Sequence, residues 1–432
     1  MRQNKRVIPM LCILSAVLTF QPNALAIRID EKAYRYPYKD PYLATTTVAI
    51  LNGTEKPQTS EIKDLRLTVQ ENRNNIYLLE GKGLMRYRLY QQKGSAPLIF
   101  IMPGLAGSAY SGAARFLAEW LAGHGFHVLI LPSPFNWNFT LAASASATPG
   151  QTREDTQDLY AVMRLVLDDI KTRYHVQVGK IGVLGFSDGA LYSAFLSKMD
   201  AEKWQIGADT YLLINPPVDL LEAIKKLDDM ADIGKDYSID QRSNLEVYGF
   251  GVVTDALQKD INNPAYFADW DKRLKLSDKQ MQYLIGKAMR DAVGDTVYVM
   301  DIVKDPTILK TPINSVSHGG ALEEARSYSL MDYVNKFLVP KWRANGRTNL
   351  SFKALEYQNS LKGIKSVLQK KQTVFLMHNL DDILVSKEDI AFLENLFGDR
   401  ATIYPYGGHM GNLWYPENKQ HILEVFSPLL QN

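Results

Sequence analysis

Residues 180–196 read Lys-Ile-Gly-Val-Leu-Gly-Phe-Ser-Asp-Gly-Ala-Leu-Tyr-Ser-Ala-Phe-Leu. The run Lys180–Gly185 is short and nearly continuously apolar, the pattern of a strand buried on both faces. From Ala190 to Lys203 apolar residues recur every three or four positions, so a helix follows almost at once. Between them stands Gly185-Phe186-Ser187-Asp188-Gly189, which predicts Ser187 at the tip of a sharp strand-to-helix turn. A hydroxyl is a poor nucleophile until a base can take its proton and the backbone exposes it; flanking glycines serve the second need. An ordinary tight turn would also use Gly185 and Gly189 for close packing, but the strand before and the helix after favour a nucleophile.

Working outward, similar apolar runs occur at Pro97–Met102, His127–Leu131, Thr210–Ile214, Thr373–Met377 and Ala401–Tyr404. Helical periodicity fills Ser111–Gly123, Arg153–Tyr174, Lys387–Phe397 and Pro416–Leu429. Alternating strands and helices predict a doubly wound α/β sheet. Upstream, apolar and polar residues alternate over Ile62–Gln70 and Asn75–Tyr90, predicting an opening antiparallel pair. Residues 27–60, rich in Tyr, Pro and Thr, read as an extended N-terminal arm. Residues 221–371 have helical periodicity and many charges, far longer than the roughly 2–6 residues that usually join such elements. They read as a mostly helical cap inserted into a core of residues 61–220 and 372–432, with an independent second domain as the alternative.

The 432 residues are 46% hydrophobic and 22% charged, the composition of a packed globular chain. Residues 1–26 carry Arg2, Lys5 and Arg6, an apolar run Ile8–Phe20, and small residues in Ala24-Leu25-Ala26. These are the parts of a cleaved secretory signal, so the chain is expected in the periplasm or outside the cell, with a bacterial envelope favoured. The apolar run is short of the roughly 20 residues that an uncleaved membrane anchor needs. A lipoprotein would have to use Cys12, which lies inside that run. Without the leader the chain holds 46 basic and 47 acidic residues and no cysteine. That balance gives no reason to expect nucleic acid as a partner, and disulfides and thiolate metal sites are excluded.

A serine nucleophile needs a histidine, and His409 follows the run Ala401–Tyr404 within Gly407-Gly408-His409-Met410-Gly411. Of the six other histidines, His124 and His127 suit packing. His318, in Ser317-His318-Gly319-Gly320, is the weaker candidate because it falls within the insertion. A carboxylate must fix the imidazole tautomer. His378-Asn379-Leu380-Asp381-Asp382 follows the run Thr373–Met377 and offers Asp382, with Asp381 as an alternative; Asp219, after Thr210–Ile214, is another. Asp381 and Asp382 would each also suit a helix cap or turn. Two backbone N–H groups must face the oxyanion. Asp188 supplies one, and Leu105, within Pro103-Gly104-Leu105-Ala106-Gly107, the other. That glycine loop lacks the lysine and hydroxyl of a nucleotide loop. No metal or organic cofactor is implied.

Through Pro-Gly-Leu-Ala-Gly at 103–107, Gly-Phe-Ser-Asp-Gly at 185–189, His-Asn-Leu-Asp-Asp at 378–382 and Gly-Gly-His at 407–409, the chain resembles the α/β-hydrolase superfamily. The order Ser, Asp, His matches as well. The resemblance covers about residues 62–220 and 373–430. It implies an eight-stranded, mostly parallel sheet with the cap inserted after the sixth strand. Two departures are Pro103-Gly104, where many members have His-Gly, and His378-Asn379, where a His-Gly pair is usual. The superfamily includes esterases, lipases and peptidases, and fold alone does not choose among them. The expectation is a secreted serine esterase acting on a small-molecule or lipid ester, with possible peripheral association with the envelope. Its rivals are a peptidase of the same fold and a catalytically silent binding protein.

Overall fold

The structure is a computed structural model that describes residues 25–53, 60–257, 267, 269–304, 308–313, 319–344 and 351–431. The leader expected at 1–26 lies outside the described residues except for its last two positions, and Cys12 and His318 lie outside them too.

Nine strands make one sheet: β1 Ile27–Arg28, β2 Ser60–Leu67, β3 Met85–Gln92, β4 Ala96–Met102, β5 His127–Ile130, β6 Val178–Phe186, β7 Thr210–Ile214, β8 Val374–Asn379 and β9 Ala401–Tyr404. Their order is β1-β9-β8-β7-β6-β4-β5-β3-β2. Neighbours are parallel except β2 with β3 and β3 with β5. The apolar runs read as doubly buried strands because helices cover both faces. Leu98, Phe100 and Met102 of β4 face one core, with α4 (Thr152–Thr172) and α5 (Asp188–Lys203). Ile99 and Ile101 face the other, with α2 (Gly112–Gly123) and the helix Pro416–Phe426. Each such fully buried side chain contributes roughly 1.5–3 kcal/mol.

Eight strands were expected and nine are present among the described residues, because Ile27–Arg28 adds to the free edge of β9. The arm is not extended throughout. Asp40 accepts the Leu43 N–H at 2.7 Å and Pro41 stands at the first helical position, so α1 (Pro41–Thr46) forms there. The strand expected from Asn75 begins only at Met85. Residues 71–75 and 77–79 are 3₁₀ turns, and Gly81 takes a positive φ of 71° that breaks the alternation. A short helix, α3 (Trp137–Ala142), was not foreseen.

Between β7 and β8 the described residues are mostly helical: α6 (Leu220–Asp232), α7 (Ile239–Leu257), the long helix Asp278–Lys304 and several shorter ones. The long helix crosses α6 closely at Gly286, where an added Cβ would come within 2.3 Å of the Ala231 nitrogen. Arg290 locks the crossing to Asp228 at 2.7 Å and Asp232 at 2.8 Å. Val293, Val297 and Met300 join the same apolar cluster as β4, so these helices share a core with the sheet. Among the described residues no helix is long and apolar enough to cross a membrane.

Candidate active site

The loops that end β4, β6, β7, β8 and β9 meet at the carboxyl edge of the sheet, where open α/β sheets hold ligands. At the end of β6, Ser187 is held at φ 55°, ψ −128°, a conformation costly for a residue with a Cβ. The turn is enforced from both sides. The Ser187 N–H donates to the Ile214 carbonyl at 2.9 Å, and its carbonyl starts α5 by accepting from Ala190 at 2.9 Å. Gly189 passes so close to β4 that a Cβ would sit 2.1 Å from the Met102 carbonyl oxygen. No larger residue fits there without displacing backbone, which is why the elbow needs this glycine.

His409 and Asp382 complete a line of hydrogen bonds. His409 Nε2 lies 2.8 Å from Ser187 Oγ, and Nδ1 lies 2.9 and 3.1 Å from the two Asp382 oxygens. With a carboxylate on Nδ1, that nitrogen carries the proton and Nε2 is free to accept from the hydroxyl. Burial pushes the Asp382 carboxyl up, but the charge and hydrogen bond of His409, then His378, hold it below the usual carboxylate range. The acid therefore stays ionised beside the imidazole.

The other two carboxylates considered lie elsewhere. Asp381 accepts the Gly407 and Gly408 N–H groups at 3.1 and 2.9 Å, bracing the loop that carries His409. Asp219 caps α6, accepting from Leu221 at 2.9 Å and Glu222 at 3.3 Å. Leu105 lies on a tight turn, closed by the Gly107 N–H on the Gly104 carbonyl and fixed by Ser133 and Asn136. A Cβ on Gly104 would stand 3.0 Å from the Ser187 Cβ, so this loop abuts the elbow. The Asp188 N–H opens α5, where no intrahelical acceptor exists.

Three supporting residues had been given no supporting role in the sequence. Asn215, at the end of β7 with φ 48°, donates its amide to Asp382 Oδ2 at 2.7 Å. Its place directly after the run Thr210–Ile214, at the sheet edge, was the available signal. His378 is fully buried, 3.9 Å from Asp382 Oδ2, and burial pushes its imidazole down against the opposing pull of that carboxylate. Thr45 accepts the His409 N–H, and nothing in the arm's composition marks it.

The Asp188 side chain is only 3% exposed, and neither of its oxygens has a hydrogen-bond donor among the described residues. Burial, then the nearby Asp155, pushes its carboxyl up to about 8. Asp155 is itself raised to about 7 by burial, against the opposing pull of Lys341, the Gly150 N–H and the Tyr192 hydroxyl. A buried carboxyl without donors is held neutral near pH 7.

No family model matches the chain, and no curated protein matches it. Solved structures do. The chain is similar to an esterase of Pyrobaculum calidifontis at 13% identity, with 90% of each chain covered and a TM-score of 0.44. It is also similar to brefeldin A esterase, a bacterial homologue of human hormone-sensitive lipase, at 12% identity over 94% of this chain and 89% of that one, with a TM-score of 0.41. Against the acylaminoacyl peptidase of Pyrococcus horikoshii, identity is 11% and the TM-score 0.43; 87% of this chain matches 43% of that one. The chain thus spans less than half the length of the peptidase. Strand order, crossovers and the β6–α5 turn give the chain the α/β-hydrolase fold.

Proposed function

We propose that this chain, with its α/β-hydrolase fold, is a serine hydrolase that cleaves a carboxylic ester. Ser187 Oγ attacks the carbonyl carbon while His409 Nε2 takes its proton, and Asp382 stabilises the imidazolium. The Leu105 and Asp188 N–H groups hold the oxyanion. The tetrahedral intermediate collapses, His409 returns the proton to the departing alcohol, and an acyl ester remains on Ser187. Water, deprotonated by His409, then releases the carboxylic acid. The reading is supported above all by the hydrogen-bonded line Ser187–His409–Asp382 at one sheet edge.

In the same proposal the helices of residues 221–371 form a cap over the substrate, the leader at 1–26 exports the chain, and a small-molecule or lipid ester is cleaved at or beyond the envelope. The test is labelling by a fluorophosphonate probe together with p-nitrophenyl esters of graded acyl length. Wild type should be labelled and turn over esters, whereas Ser187→Ala should be unlabelled and lose about ten-thousand-fold in kcat. Preference for amino-acid p-nitroanilides would replace the esterase by a peptidase. Absence of labelling on the folded protein would leave a silent binding protein.

A further inference from the structure

We infer that the N-terminal segment 34–47 is a positioning element of the reaction and that the Thr45 hydroxyl sets where the His409 imidazole stands; the inference rests on the hydrolase reading. The loop 405–412 is itself neither helix nor strand. Gly408 and Met410 within it take positive φ values of 54° and 66°. Something outside the loop must hold it, because proton transfer tolerates little misplacement.

Segment 34–47 grips both sides of His409. Thr45 Oγ1 gives its own proton to the Pro41 carbonyl at 2.6 Å, which leaves its lone pairs to accept the buried His409 N–H at 2.9 Å. Beyond His409, the Gly411 carbonyl accepts from Thr47 Oγ1 at 2.7 Å and from the Tyr36 hydroxyl at 3.0 Å. The Asn412 amide donates to the Tyr34 hydroxyl at 3.0 Å. Contact is backbone to backbone: a Cβ on Gly408 would stand 2.1 Å from the Pro41 carbonyl oxygen, and one on Gly411 would stand 1.9 Å from that of Ala44. Tyr36 also packs against Trp414 and Tyr415, with ring centroids 5.7 and 5.5 Å away.

The same segment holds the inserted region. Trp270 Nε1 donates to Thr46 Oγ1, and the Trp270 N–H donates to the Tyr38 hydroxyl, both at 2.9 Å. α1 therefore lies between the histidine loop and residues following β7, in contact with each.

The test compares Thr45→Val, which keeps the shape but loses the acceptor, with Thr45→Ser, which keeps it, in the full chain. Two readouts are needed: steady-state kinetics on a p-nitrophenyl ester, and the low-field proton NMR signal of His409 Nδ1–H, assigned by its loss in His409→Gln. Thr45→Val should lower kcat roughly 10–100-fold with KM within about two-fold. It should also shift the signal or speed its exchange, and Thr45→Ser should restore both. An unchanged signal in folded Thr45→Val overturns the inference, whatever the turnover. A wild type that neither turns over ester nor takes the fluorophosphonate label, yet whose signal moves in Thr45→Val, sinks the hydrolase reading and leaves only the hold of Thr45 on the imidazole. Should Thr45→Val not fold, Tyr36→Phe removes one donor to Gly411; a smaller shift of the same signal is expected, and no shift overturns the inference.

Discussion

Asp188 shows how a single side chain couples the elbow to pH. Its carboxyl, raised to about 8, keeps a proton in the folded chain where the unfolded chain has already lost it. The stability it contributes is complete below the ordinary carboxylate value of about 4 and is lost as pH rises toward 8. Asp188→Asn cannot ionise, so it should be more stable than the parent at pH 8 by on the order of a few kcal/mol, a gap that closes toward pH 4. Denaturant melts at pH 5, 7 and 9 measure this, and a gap that does not widen with pH would refute it. Asn215 belongs to the same scale. Its amide donates to Asp382 Oδ2, the oxygen nearest the imidazole, so Asn215→Ala should cost about ten-fold in kcat, with a smaller effect on KM.

Among the elements, the end of β7 leads into α6, whose first turn is satisfied by Asp219. Asp219→Ala should lower stability by about 1 kcal/mol, and Asp219→Asn should restore most of it, because the side-chain oxygen is what the cap uses. Loss of turnover by folded Asp219→Asn comparable to that of Asp382→Asn would mean that Asp219 has chemistry of its own. Elements with a strong period were legible in the sequence: the helix Lys387–Phe397 has the bounds its pattern predicts, and the apolar runs fall on β4 to β9. α1 and α3 were not, since each spans six residues, and so short a helix depends on its cap and on tertiary contacts more than on periodicity. The same distinction applies at the candidate site. Ser187, Asp382 and His409 lie beside glycines or sheet-edge loops that local sequence can reveal. Thr45 matters only because a distant loop comes to rest on it.

At the scale of the whole molecule, β1 lies beside β9, and the arm packs under the loop between β9 and the helix Pro416–Phe426. Thr45 and His409 are 364 positions apart, so their contact closes a very long loop. Contacts of such separation form late, after more local structure has reduced the entropy of closure. On refolding from denaturant, far-UV ellipticity should therefore recover before fluorophosphonate labelling does. Simultaneous recovery would show that the arm and the histidine loop meet early. A ribosome delivers the arm long before the histidine loop, so a polypeptide synthesised only through the elbow has a hydroxyl at Ser187 but no imidazole locked beside it. On the proposed reading, the nucleophile stays chemically silent until the histidine loop has been made and has come to rest on the arm, so reactivity follows that docking and not the elbow alone.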